Sequence, residues 1–168
     1  MKDFSTLVPK LCNGYVRPYR QDDDFSHFEM REMDYRETSA STGLSSPHNI
    51  LATAVTTSDY TWVIHNDADI VGIFGVSRYL NRAPVGIPWL IGSTRMFDIM
   101  TPTQYTRIAK RVINRFLIQY PSLANLVMAE YTSAVRWLQL LGFTIDKSNP
   151  VILSDKQFYL FYKYDKEG

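Results

Sequence analysis

The chain has 168 residues and a formal net charge of +1, which fits one domain large enough to bury its own core. Hydrophobic residues make up 45% and charged residues 21%, an ordinary composition for a soluble globular protein. The near-neutral charge provides no whole-molecule field that would attract nucleic acid or an anionic membrane. No run approaches the roughly 20 apolar residues that span a bilayer. We therefore expect neither a nucleic-acid partner nor a membrane partner.

The N-terminal region carries few signals. Cys12 is the only cysteine, so it cannot form an internal disulfide, and no metal-ligand pattern surrounds it. The first residues also lack the continuous apolar segment of a secretory signal. We expect a cytoplasmic protein without a metal site. Residues 1–14 are expected to be a lead-in, and residues 15–168 to be one domain.

The first half of the chain predicts three strands and two helices. Pro18 restricts the first strand to a sheet edge, and Pro47 favours a helix start. The turn-forming residues Asn66–Asp69 predict a hairpin between the two strands that flank them. The elements are a strand at Tyr15–Tyr19, helices from Phe25 to about Ser39 and over His48–Thr57, and strands at Tyr60–His65 and Ile70–Val76.

The second half predicts strands that alternate with two helices. Thr101, Pro102 and Gln104 combine a capping hydroxyl, a proline at the first helical position and a capping-box amide. Gly142 stands where a left-handed residue ends a helix. The elements are strands at Val85–Gly92 and Leu126–Ala129, helices from Thr101 to about Tyr120 and over Tyr131–Leu141, and strands starting at Phe143 and at Lys156. The order β-α-α-β-β-β-α-β-α-β, followed by the closing strand at Lys156, predicts a mixed α/β fold.

Several segments together resemble a known family: Met30–Asp34, Gly72–Val76, Gly86–Gly92, Tyr120–Asn125 and Val135–Phe143. Their order is similar to that in GNAT-like tailed-phage proteins related to the internal virion protein A of short-tailed phages. The element order also resembles that of the GNAT N-acyltransferases, which use acyl-CoA. The resemblance implies a single GNAT-like domain, a mostly antiparallel mixed sheet with helices on both faces. It also implies a bacterial host cytoplasm or a virion as the location.

The resemblance implies an acetyl-CoA site on the strand Val85–Gly92 and the loop after it. GNAT folds splay two central strands to admit the acyl-pantetheine arm, and Pro88 cannot donate a ladder bond at that point. Trp89 either lines this notch or fills it with its own ring. The following loop departs from the family's phosphate cradle, because the cation Arg95 has Asp98 close by. The candidate cofactor-binding residues are Trp89, Leu90, Ile91, Gly92, Ser93, Thr94 and Arg95.

The catalytic groups of the family are only partly present. The position of its usual tyrosine acid corresponds to Leu138, which cannot donate a proton. Tyr131 is either a displaced acid or an aromatic residue that only packs at a strand end. Glu32 is the candidate general base, and an exposed ion pair with Arg36 is the alternative. Other carboxylates on the same predicted helix are Glu29 and Asp34.

Two functions follow from these departures. The altered cradle and the missing tyrosine favour a phage-encoded protein that has lost its acetyl-CoA site and acts in virion assembly or in binding a host protein. The alternative is an N-acetyltransferase that moves an acetyl group from acetyl-CoA to an amine. Direct attack of the amine on acetyl-CoA depends on the orientation of the two reactants as well as on acid–base catalysis, so loss of the tyrosine need not abolish activity.

A basic stripe stands apart from these features. Arg107, Lys110, Arg111 and Arg115 recur at three- and four-residue steps on one predicted helix. A solvated helix face explains such a stripe, and contact with nucleic acid or an acidic protein is the alternative.

Overall fold

The structure is a computed structural model that describes residues 15–79 and 85–165. The predicted lead-in of residues 1–14 and the loop at residues 81–84 lie outside this range. The elements within it are β1 (Val16–Pro18), α1 (Glu32–Thr42), α2 (Pro47–Thr56), β2 (Tyr60–His65), β3 (Ile70–Arg78), β4 (Val85–Gly92), α3 (Pro102–Gln119), β5 (Ser122–Met128), α4 (Thr132–Leu140), β6 (Thr144–Leu153) and β7 (Lys156–Tyr164). A short 3₁₀ turn, Met96–Asp98, precedes α3.

The seven strands form one sheet in the order β1-β2-β3-β4-β5-β7-β6. Only β4 and β5 are parallel neighbours, and the other pairs are antiparallel. The last two strands form a hairpin in which β7 lies between β5 and β6. The predicted mixed, mostly antiparallel sheet is confirmed.

Helices cover both faces of the sheet, as predicted. Because side chains alternate along a strand, each central strand contributes to two cores. On one face, Ile113 of α3 and Val135 of α4 pack in a cluster that includes Phe74. On the other, Ile50 of α2 packs in a cluster that includes Ile73. Within the described residues, no helix is long and apolar enough to cross a membrane.

The central strands β4 and β5 pair at one end only. Their register consists of Val85 with Ser122 and Gly86 with Leu123. In the described residues no pairing between these strands continues beyond Gly86, although β4 stays paired with β3 and β5 with β7. The space between Ile87–Gly92 and Ala124–Met128 is called the notch below. The predicted divergence of these strands is confirmed.

The first helix starts later than its sequence pattern predicts. It begins at Glu32 rather than near Phe25, and residues 25–31 form turns and a short bridge. Met30 bridges to Ser93 just past β4, and the Thr94 amide donates to the Glu29 carbonyl at 2.9 Å. This pairing holds Glu29 and Met30 in an extended form, so a tertiary contact overrides local helix propensity.

The predicted signals at helix ends are confirmed. The Thr101 hydroxyl accepts from the Gln104 amide, and the Gln104 side chain accepts from the Thr101 amide, so α3 begins with a capping box. Gly142 adopts a positive φ of 88° after α4. Ser46 accepts from the Asn49 amide at 3.4 Å and caps α2, with Pro47 in its first turn.

Candidate active site

The pairing of β4 with β3 shows which of its backbone groups face the notch. The Ser93 amide donates to the Val71 carbonyl, and the Tyr79 amide donates to the Val85 carbonyl. Antiparallel partners alternate between bonded and non-bonded pairs, so odd-numbered residues of β4 bond to β3. The even-numbered residues Pro88, Leu90 and Gly92 therefore direct their backbone groups into the notch.

The pairing of β5 with β7 likewise shows which backbone groups of β5 face the notch. The Ala129 amide donates to the Gln157 carbonyl at 2.8 Å, in register with the β5–β7 ladder. Odd-numbered residues thus bond to β7. The backbone groups of Leu126 and Met128 point into the notch from the other side.

One asparagine bridges the end of the notch nearest the paired residues. The Asn125 side chain donates through Nδ2 to the Pro88 carbonyl at 2.9 Å. Its Oδ1 accepts from the Leu126 amide at 2.8 Å. Asn125 therefore replaces the missing ladder at this level and forms a floor below the open part of the notch.

Helix α1 covers the opposite end of the notch with two carboxylates. Asp34 Oδ2 accepts from the Gly92 amide of β4 at 2.7 Å. Glu37 Oε2 accepts from the Met128 amide of β5 at 2.8 Å. Residues three apart share a helix face, so one face of α1 satisfies a donor on each wall.

The middle of the notch is left with open main-chain groups. In the described residues, neither the amide nor the carbonyl of Leu90 has a hydrogen-bond partner, and the same holds for the Leu126 carbonyl. Backbone groups away from secondary structure must bond to water, a side chain or a ligand. The notch is therefore suited to a ligand that carries amide and carbonyl groups.

Asp34 joins both walls of the notch and is only 4% exposed. Its Oδ2 accepts from Nε and Nη2 of Arg31 at 3.0 and 2.8 Å, in addition to the Gly92 amide. Its Oδ1 accepts from the Tyr131 hydroxyl at 2.6 Å. Since Tyr131 follows β5, this single carboxylate fixes the distance between the two strand ends.

Glu37 has the environment of a general base. Burial raises its pKa to about 7, against the weaker lowering effect of the Met128 amide, and the negative charge of Asp34 raises it further. A carboxyl group with a pKa near the working pH accepts a proton most effectively in catalysis. Glu37 therefore has both the position and the basicity for proton removal at the notch.

Tyr131 lies at the notch but has the wrong acidity for the role expected of it. Burial raises its pKa, and the charge of Asp34 and the hydrogen bond to Asp34 act in the same direction. A phenol that holds its proton more firmly than usual is a poor acid near neutral pH. The structure favours a role for Tyr131 in binding Asp34.

Glu32, the expected general base, lies on the exposed side of α1. Two residues along a helix turn the side chain through about 200°, so Glu32 and the inward-facing Asp34 occupy opposite sides. The expectation that Glu32 faces the notch is wrong. Glu37 was missed, although Arg31, Asp34 and Glu37 recur at three-residue steps, a spacing that places all three on one helix face.

Trp89 neither lines nor fills the notch. Its Nε1 donates to the Ser58 hydroxyl at 2.8 Å. Its ring lies over Gly75 of β3, where an added Cβ would come within 2.8 Å of the ring. Both expectations for this side chain are wrong, because odd-numbered side chains of β4 point toward α2 rather than along the sheet. Ile91 is buried in the same cluster.

The rest of the expected cofactor run is bonded within the protein. Gly92 donates to Asp34 and accepts from the Arg31 amide, and Ser93 is buried beside it. Arg95 pairs through Nη1 with Asp69 at 3.1 Å and through Nε with Asp98 at 3.6 Å, with 53% of its side chain exposed. Exposed pairs contribute only about 0–1 kcal/mol, so an anion could draw Arg95 away from them.

Comparisons with known proteins bear on the fold. No protein-family model matches the sequence, and no curated protein matches it. The solved structures similar to it include a ribosomal-protein-S5-alanine acetyltransferase from Vibrio fischeri, with a TM-score of 0.61, 14% identity, and 90% of this chain and 93% of that one covered. Another is a GNAT family acetyltransferase from Elizabethkingia anophelis with acetyl-CoA bound, with a TM-score of 0.57, 10% identity, and 89% of this chain and 97% of that one covered. A third is a Bacillus subtilis acetyltransferase in complex with CoA, with a TM-score of 0.57, 7% identity, and 89% of this chain and 97% of that one covered. The chain has the GNAT acetyltransferase fold.

Proposed function

We propose that this protein transfers an acetyl group from acetyl-CoA to an amine, with Glu37 as the general base. The observation that carries the proposal is the notch, where the open backbone groups of Leu90 lie between the splayed strands and Glu37 of α1 accepts from the Met128 amide of β5. The similarity to acetyltransferases with CoA or acetyl-CoA bound supports the choice of cofactor.

The residues at the notch fit the acyl end of such a cofactor. Acetyl-CoA would supply the acetyl group as a reactive thioester. The Leu90 carbonyl is the free acceptor for an amide, and the Leu90 amide is the free donor for a carbonyl oxygen. A fixed backbone donor of this kind stabilises an oxygen on which negative charge develops. At the far end of β4, Arg95 is the cation that would meet phosphate.

Glu37 would remove the proton that an attacking amine must lose. The amine nitrogen forms the new bond to the acetyl carbon through its lone pair, and its proton passes to the Glu37 carboxylate. The bond to sulfur breaks and its electron pair stays on sulfur. Because a thiol has a pKa of roughly 8.5, this group leaves without a strong acid, which is consistent with the absence of acidity at Tyr131.

The test is steady-state acetyl transfer, followed by release of the free thiol of CoA, against a panel of peptide N-termini, lysine peptides and polyamines. Glu37→Gln should lower kcat/KM by roughly 10²- to 10⁴-fold, the usual contribution of a general base. Glu32→Gln, on the exposed side of the same helix, should be unchanged. No turnover of any acceptor, or equal loss in both variants, would contradict the proposal.

The pH profile gives a second readout of the same proposal. A general base acts in its deprotonated form, so kcat/KM, expressed per neutral amine acceptor, should rise with pH and level off above the Glu37 pKa of about 7. The rise should be absent from the residual activity of Glu37→Gln. A wild-type profile that is flat from pH 5.5 to 8.5 would exclude Glu37 as the base.

A second candidate is a non-enzymatic scaffold in virion assembly or host-protein binding, which rests on the resemblance to phage proteins. The observation that favours it is that Gly92, Met128 and Arg95 already have partners inside the chain. Calorimetric titration with acetyl-CoA separates the candidates. Sub-millimolar binding that weakens in Arg95→Ala supports the transferase, and the absence of heat at millimolar acetyl-CoA supports the scaffold.

A further inference from the structure

The charges of this nearly neutral chain are segregated by element. Helices α3 and α4 together contain five Lys or Arg residues and no Asp or Glu. The segment 15–37 and the turn 66–69 together contain four Lys or Arg residues and nine Asp or Glu. A net charge of +1 therefore conceals a strongly polar distribution.

The cations of α3 and α4 are available to a partner. Arg107, Arg111 and Arg115 follow one line of α3 at steps of about 6 Å along the axis, and Lys110 lies beside them. A hydrogen bond from Trp137 Nε1 to the Thr106 hydroxyl at 3.0 Å holds α4 against α3. Arg136, which precedes Trp137 on α4, is exposed and is the fifth cation of this group. In the part of the chain that the structure describes, none of these five cations forms an ion pair. They are called the basic face below.

The acidic part of the molecule contains a polar hollow of about 340 Å³. Its walls come from β1, from the segment after it and from the β2–β3 turn, and they include Arg17, Arg20, Asp22, Asp24, Asp67 and Asp69. Asp22 and Asp67 are exposed, and no ion pair involves either of them among the described residues. The hollow is large enough to receive the end of an arginine side chain.

We propose that the basic face of one molecule docks on the acidic hollow of another copy of this chain. The two surfaces have opposite charge and belong to different elements, so the contact is head-to-tail and extends into open chains rather than closing as a symmetric dimer. A net charge close to zero leaves little overall repulsion to oppose the association. The association depends on salt, because exposed charges are screened within about 10 Å at 0.1 M.

Nucleic acid fits the basic face less well. Single-stranded nucleic acid binds to aromatic side chains on which bases stack, and Trp137 is half-buried with its indole N–H engaged. The exposed apolar residue Ile118, 59% accessible, lies three positions after Arg115. An apolar group among cations is more typical of a protein contact than of a phosphate contact.

Sedimentation velocity over a concentration series, at about 20 mM and about 500 mM salt, tests the proposal. The wild-type weight-average mass should rise roughly 1.5- to 2-fold above the monomer mass of 19.4 kDa at several hundred micromolar and low salt, and return to it at high salt. The double variants Arg107→Glu with Arg111→Glu, and Asp22→Lys with Asp67→Lys, should each remain monomeric. Lys147→Glu with Asp165→Lys, exposed positions outside both surfaces, should behave as wild type.

A mixture of the two double variants gives the decisive result. Each variant alone has lost the charge of one of the two surfaces, whereas the mixture brings the unchanged basic face of one variant to the unchanged hollow of the other. The mixture should therefore associate at low salt as wild type does. Thermal melts of each variant separate loss of association from loss of folding.

Three results would overturn the proposal. One is a wild-type protein that stays monomeric at low salt, and another is a mixture that fails to recover association. The third is a wild-type protein that stays monomeric and binds a labelled single-stranded RNA, while the Arg107→Glu, Arg111→Glu variant does not bind it. That result would identify nucleic acid as the occupant of the basic face. None of these measurements depends on acetyl transfer, so the proposed function can fail independently.

Discussion

At the scale of single residues, Glu37 connects the stability of the fold with the protonation of a buried carboxyl group. Its folded pKa of about 7 lies above the ordinary value of 4.5, so the native state binds its proton more tightly than the unfolded state does. The resulting stabilisation is fully present below pH 4.5 and is lost as the pH rises through 7. A buried carboxylate in this position is therefore maintained at a cost to stability at neutral pH.

Glu37→Gln should stabilise the protein at alkaline pH. The amide oxygen can still accept from the Met128 amide, but no charge has to be buried. We expect the variant to exceed wild type by roughly 1–3 kcal/mol in free energy of unfolding at pH 8.5, and by nothing below pH 4.5. Urea denaturation at both pH values measures the difference. A difference that does not depend on pH would show that Glu37 has an ordinary pKa.

Asp34→Ala should be among the most destabilising substitutions in the chain. It leaves the Arg31 guanidinium without its counter-ion and removes the acceptor of the Gly92 amide and the Tyr131 hydroxyl. Breaking a buried pair from one side costs about 3–5 kcal/mol. Tyr131→Phe, which removes only one hydrogen bond, should cost about 1 kcal/mol. Similar denaturation midpoints for the two variants would contradict the role of Asp34 in joining the walls.

At the scale of elements, α4 contains a matched pair of leucines. Leu138 is half-buried and packs against the core, whereas Leu140 is 66% exposed. Leu138→Ala should cost about 2 kcal/mol, the low end for a core leucine, and Leu140→Ala less than about 0.5 kcal/mol. Chemical denaturation measures both. Equal effects would mean that α4 docks in a different rotation.

Strand β3 contains a similar pair of glycines. A Cβ at Gly75 would lie 2.5 Å from the Tyr60 carbonyl and 2.8 Å from the Trp89 ring, whereas one at Gly72 would meet the end of the Ile64 side chain at 3.0 Å. Backbone cannot move aside as a side chain can, so Gly75→Ala should cost more, by about 1–3 kcal/mol. Thermal or urea unfolding of the two variants compares them directly. A Gly72→Ala variant as unstable as Gly75→Ala would contradict the tight packing of Trp89.

Local patterns in the sequence predicted most of the elements, because their signals lie within a few residues. The capping box at Thr101 and the glycine at 142 are examples, and Pro88 indicated the splayed strand. The start of α1 could not be predicted in this way, because the bridge between Met30 and Ser93 joins segments 63 residues apart.

The candidate site was less predictable than the fold for the same reason. Which carboxylate of α1 reaches the notch depends on the rotation of the helix. That rotation is set where Arg31 meets Gly92, a contact between distant parts of the chain. Sequence spacing alone grouped Glu29, Glu32 and Asp34 as candidates and could not rank them against Glu37.

At the scale of the whole molecule, α1 links the two halves of a sheet that is split in the middle. It contacts Gly92 on β4 and Met128 on β5, and the Ser154 hydroxyl at the β6–β7 turn donates to the Ala40 carbonyl at 2.9 Å. The helix thus compensates for the ladder that β4 and β5 lack. Among the described residues, the backbone groups of Leu90 and the carbonyl of Leu126 stay open between these strands.

Amide hydrogen exchange at Leu90, followed by NMR with and without acetyl-CoA, tests whether acetyl-CoA binds in the notch. The amides of Trp89 and Ile91 donate to β3 and should exchange slowly in both states, while Leu90 should exchange rapidly in the free protein. Saturating acetyl-CoA should slow Leu90 by roughly tenfold or more and leave its two neighbours unchanged. A Leu90 amide that is already protected in the free protein, or that stays fast with acetyl-CoA bound, would contradict the notch as the cofactor site.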